Sequence, residues 1–235
     1  MVSYQPPAIK LLGVEKRFGK FKDRAALAGI DLSIEDGAVV NISGPGGAGK
    51  STLLLIAGLV LKPDLGEVML RGQSTSKLSS HALSRFRRQE MGLVSQRPAL
   101  IPEFTVLENL LLSSQISNGT VETPHLSLVK KFILDTGLSG CEALFPAALS
   151  ETQRKLVSLI GALVNMPSIL LVDEPAAGMD NETAEIVSQL IFEANDKFRT
   201  TCVVVSNDRR IADRADRVIE LREGRMAVDF TRKMD

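Results

Sequence analysis

Cysteine is scarce in this chain: Cys141 and Cys202 are the only two, far apart and in no C-x-x-C pair. That excludes a disulfide framework and reads as free thiols in a reducing compartment. An excess of one charge sign is lacking too, since Lys+Arg and Asp+Glu balance at 28 each. With no basic excess or stripe, a nucleic-acid partner is not expected. Long apolar runs are also missing; the longest, Leu53 to Leu61, is about half a membrane span. The N-terminal M-V-S-Y-Q-P-P lacks the apolar core of a signal peptide. Together these absences predict a soluble chain that does not cross the bilayer, and they leave docking on a membrane protein open. Asn118-Gly119-Thr120 matches a glycosylation sequon, which a cytosolic chain does not use. Internal repeats and low-complexity tracts are absent as well.

What is present is an ordered alternation of apolar segments. Apolar residues make up 44% of the chain, enough for a buried core. Residues 8–17 and 26–34 alternate as half-buried strands do, joined by the turn-like F-G-K-F-K-D-R. Ala38 to Ser43 is a short apolar strand, and Lys50 to Leu61 reads as a helix ending before Lys62-Pro63-Asp64. Gly66 to Arg71 predicts a hairpin strand, 78–90 a basic helix, and the segment from Met91 another strand. From 105 to 165 the pattern is helical, with loops near S-N-G-T and from Gly137 to Ala148. Pro167 to Val172 and Thr201 to Ser206 are apolar without alternation, as strands covered on both faces are. Glu182 to Phe198 predicts a helix, and Val218 to Leu221 with Arg225 to Val228 a closing hairpin. This order implies an α/β core at both ends of the chain and a helical insert between them.

Two motifs carry chemistry. G-P-G-G-A-G-K-S-T, Gly44 to Thr52, fits G-x-x-x-x-G-K-[ST] and stands between a strand and a helix, the context the motif requires. Gly44, Gly46, Gly47, Ala48, Gly49 and Thr52 supply backbone that turns N–H groups toward phosphate oxygens, and the helix N-terminus adds its dipole. Lys50 can reach β- and γ-phosphates, and the Ser51 hydroxyl can bind Mg²⁺. The second motif is I-L-L-V-D-E-P, Ile169 to Pro175. Asp173 falls at the carboxyl end of a strand, where open α/β sheets bind ligands, and can hold Mg²⁺ through water. Glu174 then stands beside the γ-phosphate as a general base for water.

In this order the motifs resemble the ATPase subunit of ABC transporters over nearly the whole chain. The resemblance implies an α/β fold: a P-loop NTPase (ABC ATPase) core with an antiparallel β subdomain and a helical subdomain insert. One domain would span 1–235, with core and β subdomain from 1–95 and 166–235 and the helical subdomain from 96–165. Phe18 resembles the aromatic residue that stacks on adenine, with nearby Phe21 as a competitor. Gln96 is similar to the glutamine that links Mg²⁺ and the attacking water to the helical subdomain. Ala176 to Asp180 resembles the loop whose Asp180 crosses a dimer interface. The segments G-L-V-S-Q and L-I-P-E-F-T-V-L-E-N look like the branch serving lipoprotein-release, macrolide-export and cell-division membrane partners. The implied cofactors are ATP and Mg²⁺. The implied partners are a transmembrane permease and a second ABC ATPase subunit, identical or not. The implied location is the cytoplasmic face of the inner membrane, held through the permease.

L-S-E-T-Q, Leu149 to Gln153, departs from the family pattern L-S-G-G-Q. In the family this signature opens a helix whose N–H groups face the γ-phosphate of a second subunit packed head to tail. Ser150 and Gln153 keep the S-x-x-Q spacing of a capping box, so a helix is still expected to start here. Glu151 brings a carboxylate and Thr152 a branched Cβ to the phosphate-facing turn. Two like charges at about 4 Å repel by roughly 4 kcal/mol at an effective dielectric of about 20, before Mg²⁺ and solvent reduce it. Gly161 replaces an arginine usual further along that helix. Asn207 stands where the family has a histidine; its amide can donate a hydrogen bond but carries no charge. The expectation is firm MgATP binding with slow hydrolysis. A nucleotide-gated regulatory subunit with little turnover is the alternative.

Overall fold

The computed structural model describes residues 6–19, 24–118 and 123–232. Phe21, most of the F-G-K-F-K-D-R turn, the N-terminal M-V-S-Y-Q and Gly119-Thr120 of the sequon lie outside the described residues. Two sheets organise the chain. Strands β1 (Ile9–Phe18), β2 (Arg24–Ile34), β4 (Leu65–Leu70) and β5 (Gln73–Ser74) form an antiparallel sheet in the order β2-β1-β4-β5. The second sheet has six strands. They are β3 (Val39–Ser43), β6 (Met91–Val94), β7 (Ile169–Asp173), β8 (Thr201–Val205), β9 (Arg217–Arg222) and β10 (Arg225–Thr231). Their order is β10-β9-β3-β8-β7-β6, with only the β9–β10 pair antiparallel.

Strand alternation explains how the central strands β3, β7 and β8 are covered on both faces. Val40, Ile42, Ile169, Leu171, Val203 and Val205 point into a core shared with the antiparallel sheet and helix α1 (Lys50–Ala57). Val39, Leu170, Val172, Cys202 and Val204 point the other way. There they meet α3 (Val106–Asn118), α4 (Thr123–Asp135), α5 (Glu151–Leu163) and α6 (Asn181–Phe198). Helix α2 (Ser80–Glu90) is polar, buries no residue and leads directly into β6. The short α7 (Arg209–Ala212) follows β8. Both cysteines are buried and free, and burial pushes the Cys202 thiol up to about 12.

Helix α1 is shorter than the apolar pattern to Leu61 suggests. Gly58 caps it at the carboxyl end, and Leu59 turns left-handed at φ 58°. The Val60 and Leu61 N–H groups then both donate to the Leu55 carbonyl, at 2.9 and 3.1 Å. The apolar side chains continue past the helix because they close a turn, not because the helix goes on.

Candidate functional site

The phosphate loop runs from the end of β3 to the start of α1. Two of its glycines are required by close backbone contact. Gly44 has φ 139°, and a Cβ there would run into the Leu221 carbonyl. Gly49, at φ 102°, is the left-handed N-cap of α1, and a Cβ would strike the Ala26 carbonyl. The loop is thus wedged between β2 and β9, and only glycine fits. Lys50 Nζ lies inside it, donating to the Gly44 carbonyl at 2.7 Å and the Pro45 carbonyl at 3.0 Å. An ammonium has three donors, so one remains for a further acceptor.

Gly47, Gly49, Lys50, Ser51 and Thr52 share a cleft of about 320 Å³ with Phe18 and Ala26. Phe18 is 42% exposed at the end of β1, so its ring offers a free apolar edge beside the loop. Gln96, two residues after β6, lines a second recess with Asp173, Glu174 and Lys155. Neither space is lined by Ser150, Gln153 or Asp180. The structure gathers Phe18, Gly47, Gly49, Lys50, Ser51 and Thr52 in one space and Gln96, Asp173 and Glu174 in the other.

Asp173 ends β7 at 7% exposure, and its Oδ1 has no hydrogen-bond partner. A buried orphan carboxylate oxygen is costly unless it meets a cation or a bound water. Among the described residues no group of three or more His, Cys, Asp or Glu side chains could hold a metal. A cation here has to bring ligands with it, as Mg²⁺ does on a nucleotide phosphate. Asp173 fits that role, with Gln96 on the same recess and the Ser51 hydroxyl in the phosphate-loop cleft.

Glu174 has a left-handed backbone, φ 49°, a costly conformation for a residue with a Cβ. Its N–H donates to the Val205 carbonyl at 2.8 Å, which fixes it across the top of the sheet. Burial pushes its carboxyl above the usual value of 4.5; Lys50 pulls it down, and Asp173 pushes it up. A half-buried carboxylate beside a phosphate loop, raised by its surroundings, has the attributes of a general base. Asn207 Oδ1 accepts from the Gly44 N–H at 3.3 Å. Its amide thus braces the entrance of the phosphate loop. The neighbouring Asp208 caps α7 and is held below its usual value by Arg210.

The departures at L-S-E-T-Q keep their helix. Ser150 caps α5, accepting from Gln153 N–H at 3.1 Å, while Gln153 Oε1 accepts from Ser150 N–H at 2.9 Å. Both halves of the capping box are present, and the side chain of Gln153 is committed to it. Replacing Ser150 by alanine is expected to cost about 1 kcal/mol, read from the midpoint of urea unfolding. Glu151 lies in the first turn, 74% exposed, with Oε1 3.4 Å from Lys155 Nζ. Asp180 is the cap of α6, its two oxygens accepting from Thr183 N–H at 2.9 Å and Thr183 Oγ1 at 3.0 Å. These bonds hold its carboxyl below the usual value of 3.8. Gly161 lines a separate cleft of about 290 Å³ with Ser95, Leu100 and Asn109. A Cβ at Gly161 would meet only the Asn109 carbonyl, at 3.8 Å.

Lys155 is the residue of this region that motif reading missed. Its i,i+4 spacing from Glu151 is visible in the sequence, but its reach to the carbonyl of Ala177, at 2.6 Å, is not.

Similarity to known proteins gives the family. Residues 27–177 match the family described as ABC transporter. The chain is 38% identical over 217 residues to the lipoprotein-releasing system ATP-binding protein LolD of Bacteroides fragilis, covering 92% of this chain and 98% of that protein. It is 36% identical over 225 residues to LolD of Ruegeria pomeroyi, covering 95% and 98%. Among solved structures, the ATP-binding cassette MJ0796, a dimer in a post-hydrolysis state bound to ADP and Pi, superposes with a TM-score of 0.89. That match is at 32% identity and covers 96% of this chain and 100% of that one. CbiO1 of Clostridium perfringens, part of the complex cbiONQ, gives 0.79 at 25% identity, over 96% of this chain and 89% of that one. Fold, site and family match point one way: the chain belongs to the ABC transporter family, as an ATP-binding cassette.

Proposed function

We propose that the chain binds MgATP, pairs with a second cassette and drives or gates a separate transmembrane permease, with slow hydrolysis when only copies of itself are paired. The observation that carries the reading is the buried Asp173 Oδ1, which has no partner at the end of β7 and shares a recess with Gln96 and the left-handed Glu174. Slow hydrolysis rests on the exposed Glu151 carboxylate in the first turn of α5, where the family pattern has glycine. Likeness to LolD supports a permease of the lipoprotein-release kind, and the dimeric MJ0796 cassette supports pairing. No helix among the described residues is long and apolar enough to cross a membrane. A permease would therefore hold the cassette at the cytoplasmic face of the inner membrane. The helices between 96 and 165 are proposed to form the subdomain that contacts it.

In this reading Phe18 stacks on the adenine, and the loop N–H groups and Lys50 bind the phosphates. Ser51, Asp173 and Gln96 hold Mg²⁺, which supplies neutralisation of charge on the phosphates. Glu174 takes a proton from water. Asn207 keeps the loop entrance in register but brings no positive charge to the transition state. Losing one oriented electrostatic contact costs on the order of 100-fold in rate. Asp180, Ser150 and Gln153 stand on the surface that meets the second cassette.

The test is steady-state phosphate release by the purified chain, alone and reconstituted with its permease. Slow release alone and faster release in the complex are expected. Fast release by the chain alone, abolished by Glu174→Gln, would remove the slow-hydrolysis reading and leave the ATPase intact.

A further inference from the structure

Lys155 sits on α5, one turn after the Glu151 that breaks the glycine pattern. Its side chain is only 13% exposed. It lines the recess that holds Gln96, Asp173 and Glu174, although it belongs to a different element from all three. Two bonds fix its ammonium. One is the ion pair with Glu151 at 3.4 Å, in the Glu-before-Lys order that favours an i,i+4 pair on a helix. The other is the 2.6 Å hydrogen bond to the Ala177 carbonyl.

Ala177 matters because of what its own N–H does. It donates to the Glu174 carbonyl at 3.3 Å and so closes the turn that follows the proposed base. Glu174 holds a left-handed backbone that persists only where its surroundings over-determine it. One restraint is its N–H to Val205, at 2.8 Å. The second is the turn closed by Ala177. Lys155 secures that turn from outside, through a charge-assisted bond to a loop that has no regular structure of its own.

We propose that Glu151, Lys155 and the Ala177 carbonyl form a latch joining the first turns of α5 to the loop after Glu174, and that Lys155 is a positioning residue for Glu174. Glu151 then has two effects. It adds negative charge to the face offered to a neighbouring cassette, and it orients the lysine that steadies the base of its own site. Displacement of α5 would pull on the Ala177 carbonyl and pass to Glu174 through that one residue and the hydrogen bond its N–H donates to the Glu174 carbonyl. The latch rests on the ATPase reading for its catalytic consequence, but not for its existence.

The test compares Lys155→Met and Lys155→Arg with the unaltered full chain. Methionine keeps the buried stem and removes the donors. Amide hydrogen exchange over Ala176–Met179 is read first, in the absence of nucleotide. Lys155→Met is expected to speed exchange there about tenfold, leaving strands β7 and β8 unchanged. In phosphate release it is expected to lower kcat about tenfold with KM within about twofold, because a small misplacement of a reacting group costs rate rather than binding. Lys155→Arg should restore most of both. Unchanged exchange at Ala176–Met179 overturns the latch, as does a loosening of β7 and β8 to the same extent, which would mean a general loss of stability. If the unaltered chain releases no phosphate, the ATPase reading fails on that arm, while the exchange arm still decides the latch.

Discussion

Glu174→Gln is expected to lower phosphate release by about 100-fold or more while leaving MgATP binding within a few-fold. The amide keeps the shape and the left-handed backbone, and removes only the base. Equilibrium binding of a fluorescent ATP analogue and single-turnover hydrolysis separate the two quantities. The raised carboxyl adds a pH signature. Because burial pushes Glu174 above 4.5, the acid limb of kcat/KM lies at higher pH than an ordinary glutamate would place it. Turnover rises with pH through that limb, as the carboxylate form is the base. The stability linkage has the opposite sign. Burial favours the protonated form, so the Glu174 contribution is fullest below about 4.5 and is lost as pH rises through the raised value. Glu174→Gln should therefore not lower Tm at neutral pH. The same variant divides transport from regulation: a coupled transporter stops with it, and a nucleotide-gated regulator continues.

The second large effect runs upward. Glu151→Gly with Thr152→Gly is expected to raise phosphate release by the self-paired cassette about tenfold. Bare Coulomb repulsion between Glu151 and a phosphate overstates the effect, since the carboxylate is 74% exposed and paired with Lys155. Water and the ammonium screen most of it, and about 1.4 kcal/mol remaining corresponds to a tenfold change. Removing the Thr152 branch adds room at the same turn. The capping box of Ser150 and Gln153 is untouched, so α5 should start at the same residue; the Glu151–Lys155 ion pair is lost, but the Lys155 bond to the Ala177 carbonyl, the link that reaches the Glu174 turn, is kept. Release unchanged by the double glycine variant would mean that Asn207, not the signature, limits the rate.

The phosphate loop, Asp173–Glu174 and the capping box were legible because each is written in a few adjacent residues and obeys local rules of turn, strand end and helix start. Strand positions were legible where burial is one- or two-sided over five or more residues, as in β2, β7 and β8. The exit of α1 was not. Leu59 to Leu61 continue the apolar pattern, and only Gly58 and the bonds back to Leu55 show that they form a turn. The two-residue β5 and four-residue α7 are too short to print a period. Pairing of β9 alongside β3 joins residues 176 or more apart and leaves no local trace. Asn207 shows the same limit. Its chemistry could be listed from the sequence, but its hydrogen bond to Gly44 spans 163 residues and exists only once the sheet has formed.

The two buried thiols have a practical side. Reagents that attack thiolates need access and an ionised sulfur, and Cys202 offers neither with its thiol near 12, while Cys141 is covered beneath the Gln153 amide. The native chain is accordingly a quiet background for attaching a dye. A single cysteine introduced on the exposed outer side of α4 would be the reactive one. A fluorophore there could follow the helical layer approaching and leaving a second cassette, turnover by turn, without first stripping the chain of its own sulfur.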